Sequence, residues 1–212
     1  MAAIALPIYL FALGLAFGWR SLAQWRRTGD TGLRLDAGPA GTLRWWAKLL
    51  FVAALLLGTA GPVAALAGMN PVDTLDRPTT RTIGLLLAVA GVIATLAAQT
   101  GMGTSWRVGV DPGERTDLVT GGAFALARNP IFTAMIVTSL GLALMAPNPI
   151  SLAATVVLVV SIQLQVRAVE EPYLARTHGA AYAAYASRVG RFLPGIGRLA
   201  KPAKPAKVAG RR

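Results

Sequence analysis

From Asn129 to Val166 the chain carries no charged side chain, and the run is broken only at Pro147-Asn148-Pro149. A stretch of that kind has too little polarity to face water. In lipid its backbone must satisfy its own hydrogen bonds, which restricts it to helix or closed barrel. Pro130 to Ala146 and Ile150 to Val166 therefore read as the two arms of a helical hairpin. Each arm is about 17 residues, reaching about 25 Å at 1.5 Å per residue, slightly under a hydrocarbon core of roughly 30 Å. Three more uncharged runs precede it: Met1 to Trp19, Leu49 to Val72 and Thr82 to Trp106. The whole chain is 54% hydrophobic and only 14% charged, more apolar than a soluble domain of 212 residues requires. The fold class expected is an all-α integral membrane protein. Its five transmembrane helices end in a TM4–TM5 helical hairpin, followed by cytoplasmic C-terminal helices.

The charged residues set the topology. Of the 21 Lys and Arg residues, all but Arg77 and Arg81 fall on one side of a five-span arrangement. The positive-inside rule makes that side cytoplasmic and leaves the N-terminus outside. The run Met1 to Trp19 lacks the basic segment of a leader peptide and reads as a retained first span. Within it, Gly14 and Gly18 have the spacing of a close helix seat. Arg20 to Lys48 reads as a loop on the lipid surface, with Trp19, Trp25, Trp45 and Trp46 as interface anchors. Gly61-Pro62 predicts a kink, and Asp111-Pro112-Gly113-Glu114 a turn. Lys201 to Lys207 is a low-complexity basic tail directed at lipid. Three regions result: a three-helix scaffold over 1–106, a cofactor-binding catalytic region over 107–196, and a basic disordered tail over 197–212. The Ala-, Gly- and Arg-rich composition reads as that of a bacterial plasma-membrane protein.

Composition also removes chemistries. There are no cysteines and the single histidine is His178. Disulfides, thiolate sites and a Ser/His/Asp set are excluded, and no metal site is expected. The net charge of +12 flanks apolar segments without forming one face, so it points to anionic lipid head groups and not to nucleic acid. No P-loop is present, and Gly101-Met102-Gly103 is too short for a dinucleotide fingerprint.

What remains is a polar cluster on each side of the hairpin. Arg128 and Asn129 stand where the first arm begins, and a helix N-terminus favours anions. Glu170 and Glu171 stand where the second arm ends. Carboxylates there are costly unless paired or useful: they either staple helix ends through Arg167, Arg128 or Arg191, or one of them faces a ligand. Phe124, Phe132, Tyr182 and Tyr185 would supply apolar walls. A hairpin returns the chain to its starting side, so both clusters belong to one face and one pocket. A zwitterionic, partly aromatic cofactor meeting a lipid-borne substrate would suit it.

Several of these residues carry a family resemblance. Leu118-Val119-Thr120-Gly121-Gly122-Ala123-Phe124, then Arg128-Asn129-Pro130-Ile131-Phe132, then Glu170-Glu171 with Leu174, Gly179, Tyr182, Tyr185, Arg191 and Pro194 resemble the isoprenylcysteine carboxyl methyltransferases. These and the related phospholipid N-methyltransferases share Arg-His-Pro-x-Tyr, followed after a hairpin by Glu-Glu. The resemblance covers Gly101 to Pro194. It implies an S-adenosylmethionine-dependent methyltransferase with a lipophilic small-molecule or lipid-anchored acceptor entering from the bilayer. It also implies cofactor contacts from Leu118, Val119, Phe124, Arg128, Asn129, Pro130 and Phe132, and from Glu170, Tyr182 and Tyr185. Arg167 is similar to the family's substrate-carboxylate arginine, displaced by one residue, and Gly101-Met102-Gly103 to a Gly-x-Gly of the phospholipid branch. The chain departs at Asn129, which replaces the histidine, and at Phe124 and Phe132, which replace tyrosines.

For a carboxylate acceptor, Arg167 or Arg191 would orient the nucleophile; for an amine, Glu171 would take the proton. Carboxylate O-methylation is favoured. Two other readings stand beside it: a non-enzymatic lipid- or small-molecule-binding membrane protein, and a relative of membrane reductases using NADPH.

Overall fold

The computed structural model describes residues 1–109, 113 and 116–200. Asp111, Pro112 and Glu114 of the expected turn, and the basic run Lys201 to Lys207, lie outside the described residues. Seven α-helices are present among those described: α1 (Ala2–Leu13), α2 (Arg20–Thr28), α3 (Leu43–Leu66), α4 (Pro78–Gly101), α5 (Pro130–Met145), α6 (Pro149–Leu164) and α7 (Glu171–Ala186). Four continuous helical stretches are long and apolar enough to cross a membrane: Ala2–Thr28, Leu43–Leu66, Pro78–Gly101 and Pro149–Ala186. The apolar α5 is shorter, at 16 residues. The protein is an all-α integral membrane protein. The only pairings between extended segments, among the described residues, are isolated bridges of Leu33 with Val108 and Ala127 with Gly190.

The first helix does not stop at Trp19. A π turn, Gly14–Trp19, joins α1 to α2, and the rod ends only at Gly29, in the left-handed region at φ 75°. Arg20 is therefore no surface-loop residue; it is 2% exposed. Its guanidinium donates to Gly103 O at 2.8 Å and Gln99 O at 3.4 Å and lies over the Trp106 ring, 4.8 Å from the centroid. The carbonyls that end α4 are electron-rich, so a cation is well placed there. Gln24 adds a bond to Thr104 O at 2.8 Å, and Gln99 Nε2 donates to Ala16 O at 3.1 Å.

Gly14 and Gly18 seat no helix, because among the described residues nothing lies within 4 Å of where either Cβ would be. Close packing occurs elsewhere. The principal pairs are α4 on α5 and α3 on α6. A Cβ at Gly84 would stand 2.7 Å from Gly141 O, and one at Gly141 would strike the backbone of Ala88.

Asn148 organises the far end. Its Oδ1 accepts from Ser151 N–H at 3.0 Å to cap α6, and its Nδ2 donates to Gly61 O at 2.9 Å, beside Pro62 of α3. Val72 N–H reaches Pro147 O at 2.7 Å, so the hairpin tip and the connection that carries Arg77 and Arg81 share one end of the bundle. The three basic segments gather at the opposite end.

Pro172 neither ends nor breaks its helix. A π turn, Gln165–Glu170, passes into α7, where Pro172 falls in the first turn. Because the helix is continuous there, the proline's missing N–H takes one donor from the π turn before it. The break comes at Gly179, at φ 50° and ψ −122°. After α7 the chain folds back: Leu199 N–H bonds Ala186 O at 3.0 Å and Arg191 N–H bonds Ile196 O at 2.7 Å. This C-terminal strap then pairs with the segment before α5, through Arg128 N–H to Gly190 O at 2.8 Å and Asn129 N–H to Arg191 O at 3.1 Å.

Candidate functional site

At the end where the basic segments meet lies a cavity of about 230 Å³. One wall is built by the segment before α5, the next by the π turn and α7, and a third by the end of α4 and the start of α3.

Arg128 is the centre of the first wall. It is 7% exposed, and its Nη1 donates to Ala186 O at 3.0 Å and Val189 O at 2.7 Å. Its Nη2 donates to Gly197 O at 3.2 Å and to Glu171 Oε1 at 2.6 Å. Glu171 also takes both donors of Arg191, Nε at 2.7 Å and Nη2 at 2.9 Å. These hydrogen bonds push the Arg191 guanidinium further above its ordinary range, against partial burial that lowers it. Asn129 donates through Nδ2 to Arg191 O at 3.0 Å, and Thr133 through its hydroxyl to Phe192 O at 2.8 Å. The strap is thus bolted to the start of α5 and to α7 by side chains from both.

Glu170 differs from its neighbour. It lines the cavity, and among the described residues its one hydrogen-bond partner is Gln165 Nε2 at 3.2 Å. One residue along a helix rotates a side chain by roughly 100°, which suffices to send Glu171 into the arginine pair and leave Glu170 with open acceptor positions. The aromatic side is made by Tyr182 and Tyr185, edge to face with centroids 6.4 Å apart. Tyr185 OH donates to Phe124 O at 2.6 Å, which fixes the loop carrying Leu118 and Val119 against α7.

Of the residues singled out in the sequence, Leu118, Val119, Phe124, Arg128, Asn129 and Pro130 lie on the cavity wall, as do Phe132, Glu170, Glu171, Tyr182 and Tyr185. Arg167 is not brought to it. It is exposed, and its Nε bonds Gln163 Oε1 at 2.8 Å, because the π turn directs it away from the Glu170 face. Arg191 stands behind Glu171 and is held by it. Glu171, expected as proton acceptor for an amine, has three N–H donors on its two oxygens. Gly101 and Gly103 have open space where a Cβ would be.

The wall contains residues that sequence reasoning passed over. Phe17, Lys48 and Phe51 come from the N-terminal part, Gln99, Met102 and Trp106 from the end of α4, and Tyr173 from α7. Trp106 is 2% exposed. Only the contact with Arg20 marks it, and no local pattern marks Lys48.

The comparison with curated proteins gave no match. A family model does match: residues 79–181, from the first turn of α4 into the second half of α7, fit the phospholipid methyltransferase (PEMT) family. That span contains the Arg128-Asn129-Pro130 corner, the hairpin and both glutamates, and it is a methyltransferase family. Residues 79–181 are thus similar to the phospholipid methyltransferase family, which also takes in the isoprenylcysteine-type membrane methyltransferases that the chain resembles in sequence.

Proposed function

We propose that this membrane methyltransferase uses S-adenosylmethionine and methylates a lipophilic acceptor, with a carboxylate oxygen as the favoured nucleophile. The observation that carries this reading is Glu170: a carboxylate with open acceptor positions, on a cavity wall shared with Phe124, Phe132, Tyr182 and Tyr185. The donor set fits the cofactor, since a carboxylate suits its positive charge and aromatic faces suit its adenine. When bound, S-adenosylmethionine supplies an electrophilic methyl group on a sulfonium. Glu170 holds the cationic part, and Leu118 and Val119 close the apolar side. The surrounding apolar wall keeps water from the acceptor's nucleophile and fixes its approach.

The commitment of Glu171 to Arg128 and Arg191 favours the carboxylate over the amine. A carboxylate is already anionic at neutral pH and asks for no proton acceptor. Arg167 is directed elsewhere and Arg191 is occupied, so the acceptor's orientation falls to other groups on the wall.

The test is calorimetry of the purified protein in detergent, titrated with S-adenosylmethionine and separately with NADPH. Saturable binding of the first is expected, and Glu170→Ala should weaken it at least tenfold, of the order of one charge-assisted hydrogen bond. No binding by the unaltered protein would overturn the proposal, and NADPH binding in its place would move the reading to a reductase. Labelled methyl donor incubated with native lipid extract then identifies the acceptor.

A further inference from the structure

The cavity is not confined to the family-matched segment. Lys48 on α3, Phe51 one turn further along it, and Phe17 in the first π turn all face it. Lys48 is the informative one. Its Nζ donates to two loop carbonyls, Arg34 O at 2.6 Å and Asp36 O at 2.7 Å. An ammonium has three N–H donors, so one remains. Both partners are neutral carbonyls, and among the described residues Lys48 forms no direct ion pair: the nearby Asp36 carboxylate is bonded to Arg44, and Arg128 and Arg191 share Glu171. A half-buried cation on a cavity wall, hydrogen-bonded among the described residues only to two carbonyls, offers an anion a partner.

Apolar surface adjoins it. Phe17 and Phe51 meet edge to face, with centroids 6.3 Å apart. A second cavity of about 70 Å³ lies deeper in the bundle among Leu13, Ala54, Leu96 and Leu142. Phe17 and Met135 line both cavities, so the two abut. The order along this path is cation, aromatic pair, hydrocarbon wall.

We propose that Lys48 selects the acceptor, by pairing with the anionic head of a single-chain amphiphile whose hydrocarbon lies on Phe17 and Phe51 and points into the deeper cavity. Recognition of the head is then carried by Lys48, outside the family-matched segment, while the hydrocarbon wall is shared with that segment through Leu96, Met135 and Leu142. This rests on the reading of the protein as a methyltransferase of a lipophilic acceptor, and it supplies the orienting cation that Arg167 and Arg191 do not. The head is a carboxylate or a phosphate; both present the charge and acceptor oxygens that Lys48 needs.

The competing role for Lys48 is to staple the loop at Arg34 and Asp36. Arg44 supplies a control, because its Nη2 also donates to Asp36 O, at 3.0 Å, and it does not face the cavity. The full chain in zwitterionic nanodiscs is loaded with cis-parinaric acid, a fluorescent polyene carboxylate, and followed by energy transfer from tryptophan, with empty nanodiscs as background. Oleate, oleoyl lysophosphatidate, oleyl alcohol, acetate and inorganic phosphate are each used to displace it.

Either anionic chain should displace the probe at least tenfold better than oleyl alcohol, and the better of the two assigns carboxylate or phosphate. Lys48→Gln should weaken the anionic chains about tenfold and leave the alcohol unchanged, Lys48→Arg should stay within about threefold, and Arg44→Gln should change nothing. The proposal is overturned if the alcohol competes as well as the acids. It is also overturned if acetate or phosphate displaces the probe as well as the long chains, or if Lys48→Gln and Arg44→Gln weaken all ligands alike. No methyl donor is present, so failure here is distinct from failure of donor binding in calorimetry.

Discussion

Two adjacent glutamates end the second arm of the hairpin, and they do different work. Glu171 gathers Arg128 and Arg191, and through them the strap that closes the C-terminal side of the site. Its side chain is 13% exposed and that of Arg128 2%. Taking away one partner of such a group leaves charge in a place where water cannot compensate it. Glu171→Gln is therefore expected to cost about 3 kcal/mol of stability. The check is thermal unfolding in detergent together with trypsin sensitivity at Arg188, Arg191 and Arg198; an unchanged melting temperature would show the bolt to be dispensable. Glu170→Ala should do the reverse: stability within about 0.5 kcal/mol of the parent and loss of donor binding. Asn129 belongs to the same group. It stands where the resembled family has histidine, and its amide holds the strap at Arg191 O, a task that needs a donor and no titratable ring.

At the scale of elements, the spacing of glycines is a poor guide to where helices touch. Gly14 and Gly18 have the four-residue interval of a close seat yet meet nothing, whereas Gly84 and Gly141 lie at a backbone-to-backbone approach of α4 and α5. The atoms that a Cβ at Gly141 would meet belong to the backbone of Ala88 and Gly84, which cannot rotate away. Gly141→Ala should destabilise the protein by about 1–3 kcal/mol, while Gly18→Ala should stay within about 0.5 kcal/mol. Thermal unfolding of both variants decides the matter, and equal effects would contradict the packing described. Proline is as poor a guide: the helix continues past Pro172 and bends seven residues later at Gly179, where positive φ favours a residue without Cβ.

Across the whole molecule, the basic segments converge. The bridge of Leu33 with Val108, the bond of Arg20 to Gly103 O and the bridge of Ala127 with Gly190 tie the segment after α2, the segment after α4 and the strap together at one end. The connection with Arg77 and Arg81 lies at the other, beside the hairpin tip. We infer that the cavity end faces the cytoplasm of a bacterial plasma membrane and that the N-terminus lies outside, because positive charge is retained on the cytoplasmic side. A reporter fused at the C-terminus should be active only as a cytoplasmic reporter, and one inserted at Gly68 only as an external one. The opposite pair of signals would invert the orientation and place the site outside.

Membrane residence, helical class and the residues flanking the hairpin were legible in the one-dimensional pattern. Desolvation acts residue by residue: an uncharged run of sufficient length enters lipid as helix whatever its neighbours are, and charge must sit at its ends. The pairing of both polar clusters followed from the same pattern, since a hairpin returns to its starting side. Which glutamate is committed, why Arg167 turns away, how Arg20 becomes buried and why Lys48 and two phenylalanines from the first third of the chain reach the cavity were decided only in three dimensions. These depend on a π turn that rotates one face by a residue, and on contacts between groups as far apart in sequence as Arg20 and Gly103. Hydrogen bonds and ion pairs are settled by distances of a few ångströms, and nothing in local composition encodes those.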